Sequence, residues 1–127
     1  MEKVTKLDLS FQQLTSVKGL EKLTQLDHLG LGSNKLTEVP EGLEKLTQLT
    51  YLTLSNNELT NVTGLEKLTQ LEGLNLNVNR LTDVKGLEKL TNLSKLHLQN
   101  NPDLTKAQIA ELQKALPKCR ILSNPTK

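Results

Sequence analysis

Few side chains in this sequence are of a type that could do chemistry, and they are far apart along the chain. The histidines are His28 and His97, the single cysteine is Cys119 and the single tyrosine is Tyr51. A histidine or a thiol acts in catalysis or metal binding only when a partner group lies within hydrogen-bonding reach. Cys119 stands in "PKCRIL" without a second cysteine or a nearby histidine, so no metal or redox motif is available. We therefore interpret Cys119 as a small buried hydrophobic residue.

Composition excludes several other classes of function. Sixteen Lys and Arg residues against 14 Asp and Glu residues leave a net charge of +2, which is too small an excess to neutralise a nucleic acid backbone. No run of about 18 apolar residues occurs, so no membrane insertion is predicted. The N-terminal "MEKVTKLDLS" has no apolar run after its charges, which predicts a cytoplasmic protein, or a secreted or surface protein if a signal peptide was trimmed. No phosphate-binding motif occurs, and we expect neither a cofactor nor a metal.

The chain is organised as internal repeats. The eight residues "GLEKLTQL" occur at 19–26, 42–49 and 64–71, and "GLEKLTNL" follows at 86–93. The spacing is 22 residues except where Pro40 and Glu41 add one residue to a loop. Between these copies each unit carries LxxLxLxxNxL, with Val4 and Gln12 as the exceptions in the first unit. A fixed period of this length is typical of a solenoid.

The constant letters have a structural explanation. In "LTYLTLSNNEL", Leu52 and Leu54 alternate with outward residues, as in a strand with one buried face. The copied stretch is expected to form a short helical turn that returns the chain, with Gly42 easing its start and the Glu/Lys rows solvated. One asparagine per repeat falls where the chain leaves the strand, where a buried carboxamide can satisfy backbone groups. The asparagines of this predicted ladder are Asn34, Asn57, Asn79 and Asn101.

The repeats resemble those of leucine-rich repeat proteins, of the 22-residue class found in internalins, and this resemblance indicates a bacterial source. It covers about residues 4 to 104 in register. The resemblance and the repeat pattern together imply an α/β fold: a right-handed leucine-rich repeat solenoid with a parallel β-sheet on the concave face, short helical turns on the convex face and a C-terminal helical cap. The expected single domain spans 1–127. Its repeats are 4–25, 26–48, 49–70, 71–92 and 93–104, and its cap is 105–122.

The two ends of the array are predicted to differ. Thr105 and Gln108 form a capping-box start, apolar residues recur at helical spacing before Pro117, and "CRIL" is expected to add a short strand. No such device precedes Val4, so the first strand is expected to be an open edge over Lys3 to Ser10.

The outward strand positions vary freely from unit to unit, and they carry the only Tyr, the only Phe and both His residues. We interpret this varied polar surface as the site of partner binding, since solenoids bind extended partners on their strand face; unconstrained drift is the alternative. The candidate partner-binding residues are Lys6, Asp8, Phe11, His28, Gly30, Ser33, Tyr51, Thr53, Ser55, Asn56, Asn75, Asn77, Val78, Lys95, His97 and Gln99.

An enzyme is not predicted on this surface. His28 and His97 fall three strands apart, on the order of 14 Å, which is too far to share a proton or a metal. His28 and Tyr51 fall on adjacent strands, but a His/Tyr pair alone has no orienting third group and no nucleophile. We expect a scaffold that binds a protein or peptide. The alternatives are a structural module that forms a homodimer through its N-terminal edge, and an accessory recognition domain of a larger enzyme or surface adhesin.

Overall fold

One short strand per repeat builds the molecule. The computed structural model describes residues 4–127, so Lys3 of the predicted open edge lies outside the described residues. The elements are β1 (Lys6–Asp8), β2 (His28–Gly30), β3 (Tyr51–Thr53), β4 (Gly73–Asn75), β5 (Lys95–His97), α1 (Lys106–Ala115) and β6 (Arg120–Leu122). The six strands form one sheet in chain order, and every neighbouring pair is parallel. The predicted α/β leucine-rich repeat solenoid is confirmed.

The register of the sheet stacks equivalent repeat positions directly on each other. Leu29, Leu52, Leu74 and Leu96 are successive partners across β2 to β5, as the alternation of leucines predicted. Each of these leucines is almost fully buried. Because successive side chains of a strand point to opposite faces, the residues on either side of each central leucine form the outer face of the sheet.

The copied stretch returns the chain behind the core. Short 3₁₀ turns occur at Leu20–Lys22, Leu43–Lys45 and Leu87–Lys89. The glycine before each copied leucine has a positive φ, for example +93° at Gly42, which is a conformation that residues with a side chain rarely adopt. The prediction that this glycine eases the turn is confirmed.

The glutamates of the copied stretch have a role that the sequence interpretation missed. The carboxylate of Glu66 accepts a hydrogen bond from the backbone N–H of Gly64 at 2.8 Å, and Glu44 and Glu88 do the same for Gly42 and Gly86. These three carboxylates are only half exposed. These three glutamates therefore stabilise the turn while staying partly solvated, and the lysines beside them are exposed.

The asparagine ladder is present as predicted. The side-chain carbonyl of Asn57 accepts from the backbone N–H of Leu36, and its amide donates to the carbonyls of Leu31, Leu54 and Ser55 at 3.0 to 3.3 Å. All four ladder asparagines are buried, and each makes this type of contact. Within residues 4–127, no buried side-chain nitrogen or oxygen lacks a hydrogen-bond partner.

The C-terminal cap also forms as predicted. The side chain of Thr105 accepts from the backbone N–H of Gln108, and the Gln108 side chain accepts from the N–H of Thr105. Leu112, Leu116 and Cys119 are buried in the core, and burial raises the pKa of the Cys119 thiol. β6 then pairs with β5, so the cap both covers the last repeat and extends the sheet by one strand.

We predict that replacing Asn57 by Leu destabilises the protein by about 1 to 3 kcal/mol, because one backbone N–H and three carbonyls lose their side-chain partner in a buried turn. Urea denaturation measures the change in unfolding free energy. The matched variant is Gln12→Ala, since Gln12 holds the same repeat position but its side chain is exposed and contacts only the carbonyl of Ser10. Equal, small effects at both sites would contradict the structural role of the ladder.

We also predict that a chain ending after Leu104 aggregates or folds poorly, because the leucines of the last repeat lose the cover of α1 and β6. Size-exclusion chromatography and thermal melting measure the effect. A chain ending after Asn124 is the control, since it keeps both elements. A monomeric truncation at Leu104 that melts cooperatively would show that the cap is dispensable.

Candidate functional site

The outer face of the sheet, here called the strand face, presents two rows of side chains that run across the strands. The first row is Lys6, His28, Tyr51, Gly73, Lys95 and Arg120. The second row is Asp8, Gly30, Thr53, Asn75, His97 and Leu122. The residues of both rows on β1 to β5 line an open groove of ≈ 750 Å³, and Arg120 and Leu122 of β6 lie beyond its lining.

An aromatic pair lies near the middle of the first row. The rings of His28 and Tyr51 stack with centroids 4.7 Å apart and planes inclined by 26°. The carboxylate of Asp27 contacts Nδ1 of His28 at 2.5 Å and lies 3.8 Å from the Lys6 ammonium. The hydrogen bond from His28 is the main reason that the pKa of Asp27 is lowered. The pair is thus held from one side by a carboxylate that orients the imidazole.

Asp27 corrects the expectation that the His/Tyr pair lacks an orienting third group. Strand alternation places neighbouring residues on opposite faces, so the adjacency of Asp27 and His28 in "LDHL" does not predict a contact. Asp27 precedes β2, however, and alternation does not hold there.

Glycines let two larger side chains lie flat on the sheet. A Cβ atom at Gly73 would stand 2.7 Å from the Tyr51 ring, and one at Gly30 would stand 2.9 Å from the Asp8 carboxylate. Neither contact is possible for a real side chain. Gly73 therefore seats the Tyr51 ring, although it was not among the predicted binding residues. Tyr51 remains 47% exposed, so the seated ring is open to a ligand.

The polar residues in the centre of the strand face are ordered by their own hydrogen bonds. The hydroxyls of Thr53 and Ser55 lie 3.2 Å apart. Asn75 accepts from the N–H of Asn77, and the Asn77 side chain accepts from the N–H of Gln99 at 2.7 Å. Such contacts reduce the side-chain entropy that is lost when a partner binds.

Basic side chains lie at the C-terminal end of the strand face, where Lys95 lines the groove and Arg120 lies just beyond it on β6. Lys95 and Arg120 are partners in the register of β5 and β6, and His97 lies in the second row beside them. Burial, followed by the charges of Lys95 and Arg120, lowers the pKa of His97. Neither Lys95 nor Arg120 forms an ion pair with any residue between 4 and 127. Arg120 was missed because it lies in the cap, outside the repeat period that guided the choice of residues.

Four further candidate residues lie on the turns that follow the strands, and Asn100, which was not a candidate, holds the equivalent position after β5. All members of this turn row have φ between +54° and +60°, a region that bulky and β-branched residues seldom occupy. The row consists of Phe11, Ser33, Asn56, Val78 and Asn100. Phe11 is 79% and Val78 is 40% exposed, so neither is held in this conformation by burial.

The structure brings together about half of the predicted binding residues. Those that line the groove are Lys6, Asp8, His28, Gly30, Tyr51, Thr53, Asn75, Lys95 and His97. The others, which stand outside the groove lining, are Phe11, Ser33, Ser55, Asn56, Asn77, Val78 and Gln99. Ser10, Glu72, Gly73 and Ser94 line the groove without having been selected. Glu72 and Ser94 directly precede their strands, where the alternation pattern gives no signal.

Residues 4–127 contain neither a metal-binding cluster nor a membrane-spanning helix. No cluster of three or more His, Cys, Asp and Glu side chains is arranged to hold a metal ion. No helix among these residues combines the length and the apolar character needed to span a bilayer.

Comparison with known proteins adds family information. The family described as "Leucine rich repeat" matches residues 2–59, and that described as "Leucine Rich repeats (2 copies)" matches residues 69–114. A search of curated proteins gave no match. Among solved structures, an internalin (InlF) from Listeria monocytogenes superposes with a TM-score of 0.86 at 29% identity, over 98% of this chain and 36% of that chain.

Two other solved structures show the same fold. A leucine-rich repeat protein of Leptospira interrogans has a TM-score of 0.74 at 33% identity, over 84% of this chain and 28% of that chain. The functional domain of InlJ from Listeria monocytogenes has a TM-score of 0.72 at 21% identity, over 98% of this chain and 36% of that chain. The present chain thus spans about a third of the length of the structures it matches. On its repeats, its sheet and these family matches, the chain belongs to the leucine-rich repeat family and is internalin-like.

Proposed function

We propose that this chain is a scaffold that binds a protein or peptide partner through the strand face. Leucine-rich repeat domains generally serve as protein–protein interaction modules. The observation that carries the proposal is the seated aromatic pair: the Tyr51 ring lies over Gly73 and stacks on His28, and Asp27 in turn orients the His28 imidazole. An aromatic ring that is ordered before binding and still half exposed is the type of side chain that anchors interfaces.

The proposal assigns no catalytic role to the chain. His28 and His97 lie on β2 and β5, with two strands between them. The Asp27–His28 contact could orient a general base, but the stacked Tyr51 occupies one face of the imidazole. An interaction scaffold accounts for this arrangement, since the ordered imidazole then supports a neighbouring anchor.

Pairing of two copies through β1 is an alternative, because β1 forms one edge of the sheet within the described residues. Sedimentation at two protein concentrations separates it from the proposed monomeric binder. A second alternative is a recognition domain of a longer protein. The present chain covers only 36% of the internalin and 28% of the Leptospira protein, which agrees with this alternative. The boundaries of the single domain and its cytoplasmic or surface location remain predictions from the sequence.

We predict that Tyr51→Ala combined with His28→Ala weakens partner binding by about 2 kcal/mol or more, as the loss of interface anchors commonly does. Stability should change little, because both side chains are partly exposed on the strand face. The partner is first captured from a lysate of the source organism with the wild-type chain, and its affinity for each variant is then measured by calorimetry.

The matched control is Lys45→Ala with Lys67→Ala, two exposed residues on the opposite side of the array. Isolated exposed charges contribute weakly, so this pair should leave binding unchanged. Loss of binding with the lysine pair, but not with the Tyr/His pair, would place the site on the copied turns and overturn the proposal.

A further inference from the structure

The charges on the strand face are distributed unevenly along the array. At the β1 end, the carboxylates are Asp8, which accepts two hydrogen bonds from Ser10, and Asp27, which lies close to the Lys6 ammonium. Those hydrogen bonds lower the pKa of Asp8, and the contact with His28 lowers that of Asp27, so both stay ionised at neutral pH. A ligand carboxylate would be repelled at this end.

The β5 end has the opposite character. Lys95 and Arg120 are neighbours in register and share no ion pair with the described residues. Glu72, which also lines the groove, forms no ion pair with either of them. Burial, followed by the charges of Lys95 and Arg120, lowers the pKa of His97 beside them. This end is therefore complementary to an anionic group.

Tyr51 and the basic end of the strand face are separated by a distance that suits an extended peptide. Tyr51 on β3 and Arg120 on β6 are three strand spacings apart, or about 14 Å. An extended chain that crosses the strands covers this distance in about four residues, at about 3.4 Å per residue. Successive side chains of an extended chain alternate between its two sides, so two side chains four residues apart point to the same side. Both can therefore face the sheet.

We propose that the strand face recognises an extended acidic peptide segment, with an Asp or Glu carboxylate at Arg120, beside Lys95 of the neighbouring strand, and an aromatic or large aliphatic side chain at Tyr51 about four residues away. This inference rests on the proposed function and specifies its ligand. Gly73 is a positioning residue in it, since it seats the Tyr51 ring. Gly73 and Asn75 on β4 line the groove between the two contacts and face the peptide backbone.

The test is a selection of random linear 12-residue peptides displayed on phage against the immobilised wild-type chain, followed by fluorescence polarisation with labelled synthetic copies. The expected peptides carry an acidic residue four positions from an aromatic or aliphatic one. Replacing that acidic residue by its amide should weaken binding about tenfold, as expected for the loss of contacts to two cations. Lys95→Glu with Arg120→Glu should weaken binding by at least as much, and should select Lys or Arg at the same position.

The control is Lys114→Glu with Lys118→Glu, which changes the net charge equally at two exposed sites that belong to no strand of the sheet. Circular dichroism melts establish that all variants are folded. Gly73→Ala should reduce the preference for the aromatic residue and leave the acidic preference in place, because it displaces only the Tyr51 ring.

Three results would overturn the inference: no selected peptide, no acidic preference among the selected peptides, or equal effects of the two charge-reversal pairs. Partner binding that is lost with the Tyr51/His28 alanine pair but insensitive to reversal at Lys95 and Arg120 would remove this inference and leave the proposed function intact. Binding that survives both changes would remove both.

Discussion

The structure depends on one repeated interaction, the hydrogen bonding of a buried asparagine carboxamide to two successive turns. Asn79, for example, accepts from the backbone N–H of Leu59 in the preceding repeat and donates to Leu54 of that repeat and to Leu76 of its own. An amide has both a donor and an acceptor, so one side chain satisfies backbone groups on both sides of each junction. Without it, closely packed turns would bury unpaired polar groups at every step.

This arrangement separates stability from recognition. Leucines, ladder asparagines, the glycine of each copied turn and the glutamate of three of these turns hold the array together. None of these contacts requires a particular side chain on the strand face. The residues of the strand face are consequently free to differ between repeats. Tyr51 and Lys95 occupy the same repeat position two strands apart and present quite different chemistry on an unchanged backbone.

The fold could be predicted from the sequence because each element depends on a local pattern. The alternation of leucines predicted the strands and their register, and the repeated asparagines predicted the ladder. Thr105 and Gln108 predicted the start of the C-terminal cap. The details of the candidate site were less accessible. The seating of Tyr51 on Gly73 depends on side-chain conformation, and the contact of Asp27 with His28 occurs just before a strand, where alternation fails. The pairing of Lys95 with Arg120 joins a repeat to the cap and has no counterpart within the repeat pattern.

The direct stacking of equivalent repeat positions across the sheet has a consequence for the evolution of such a molecule. Each strand contacts only its two neighbours, and each repeat adds one strand. Duplication of a single unit between β3 and β5 would move the aromatic and basic groups apart by about 4.8 Å while leaving the surroundings of each unaltered. The array therefore acts as a molecular ruler whose divisions are whole repeats, and gene duplication can alter the distance it measures without altering the groups that mark its ends.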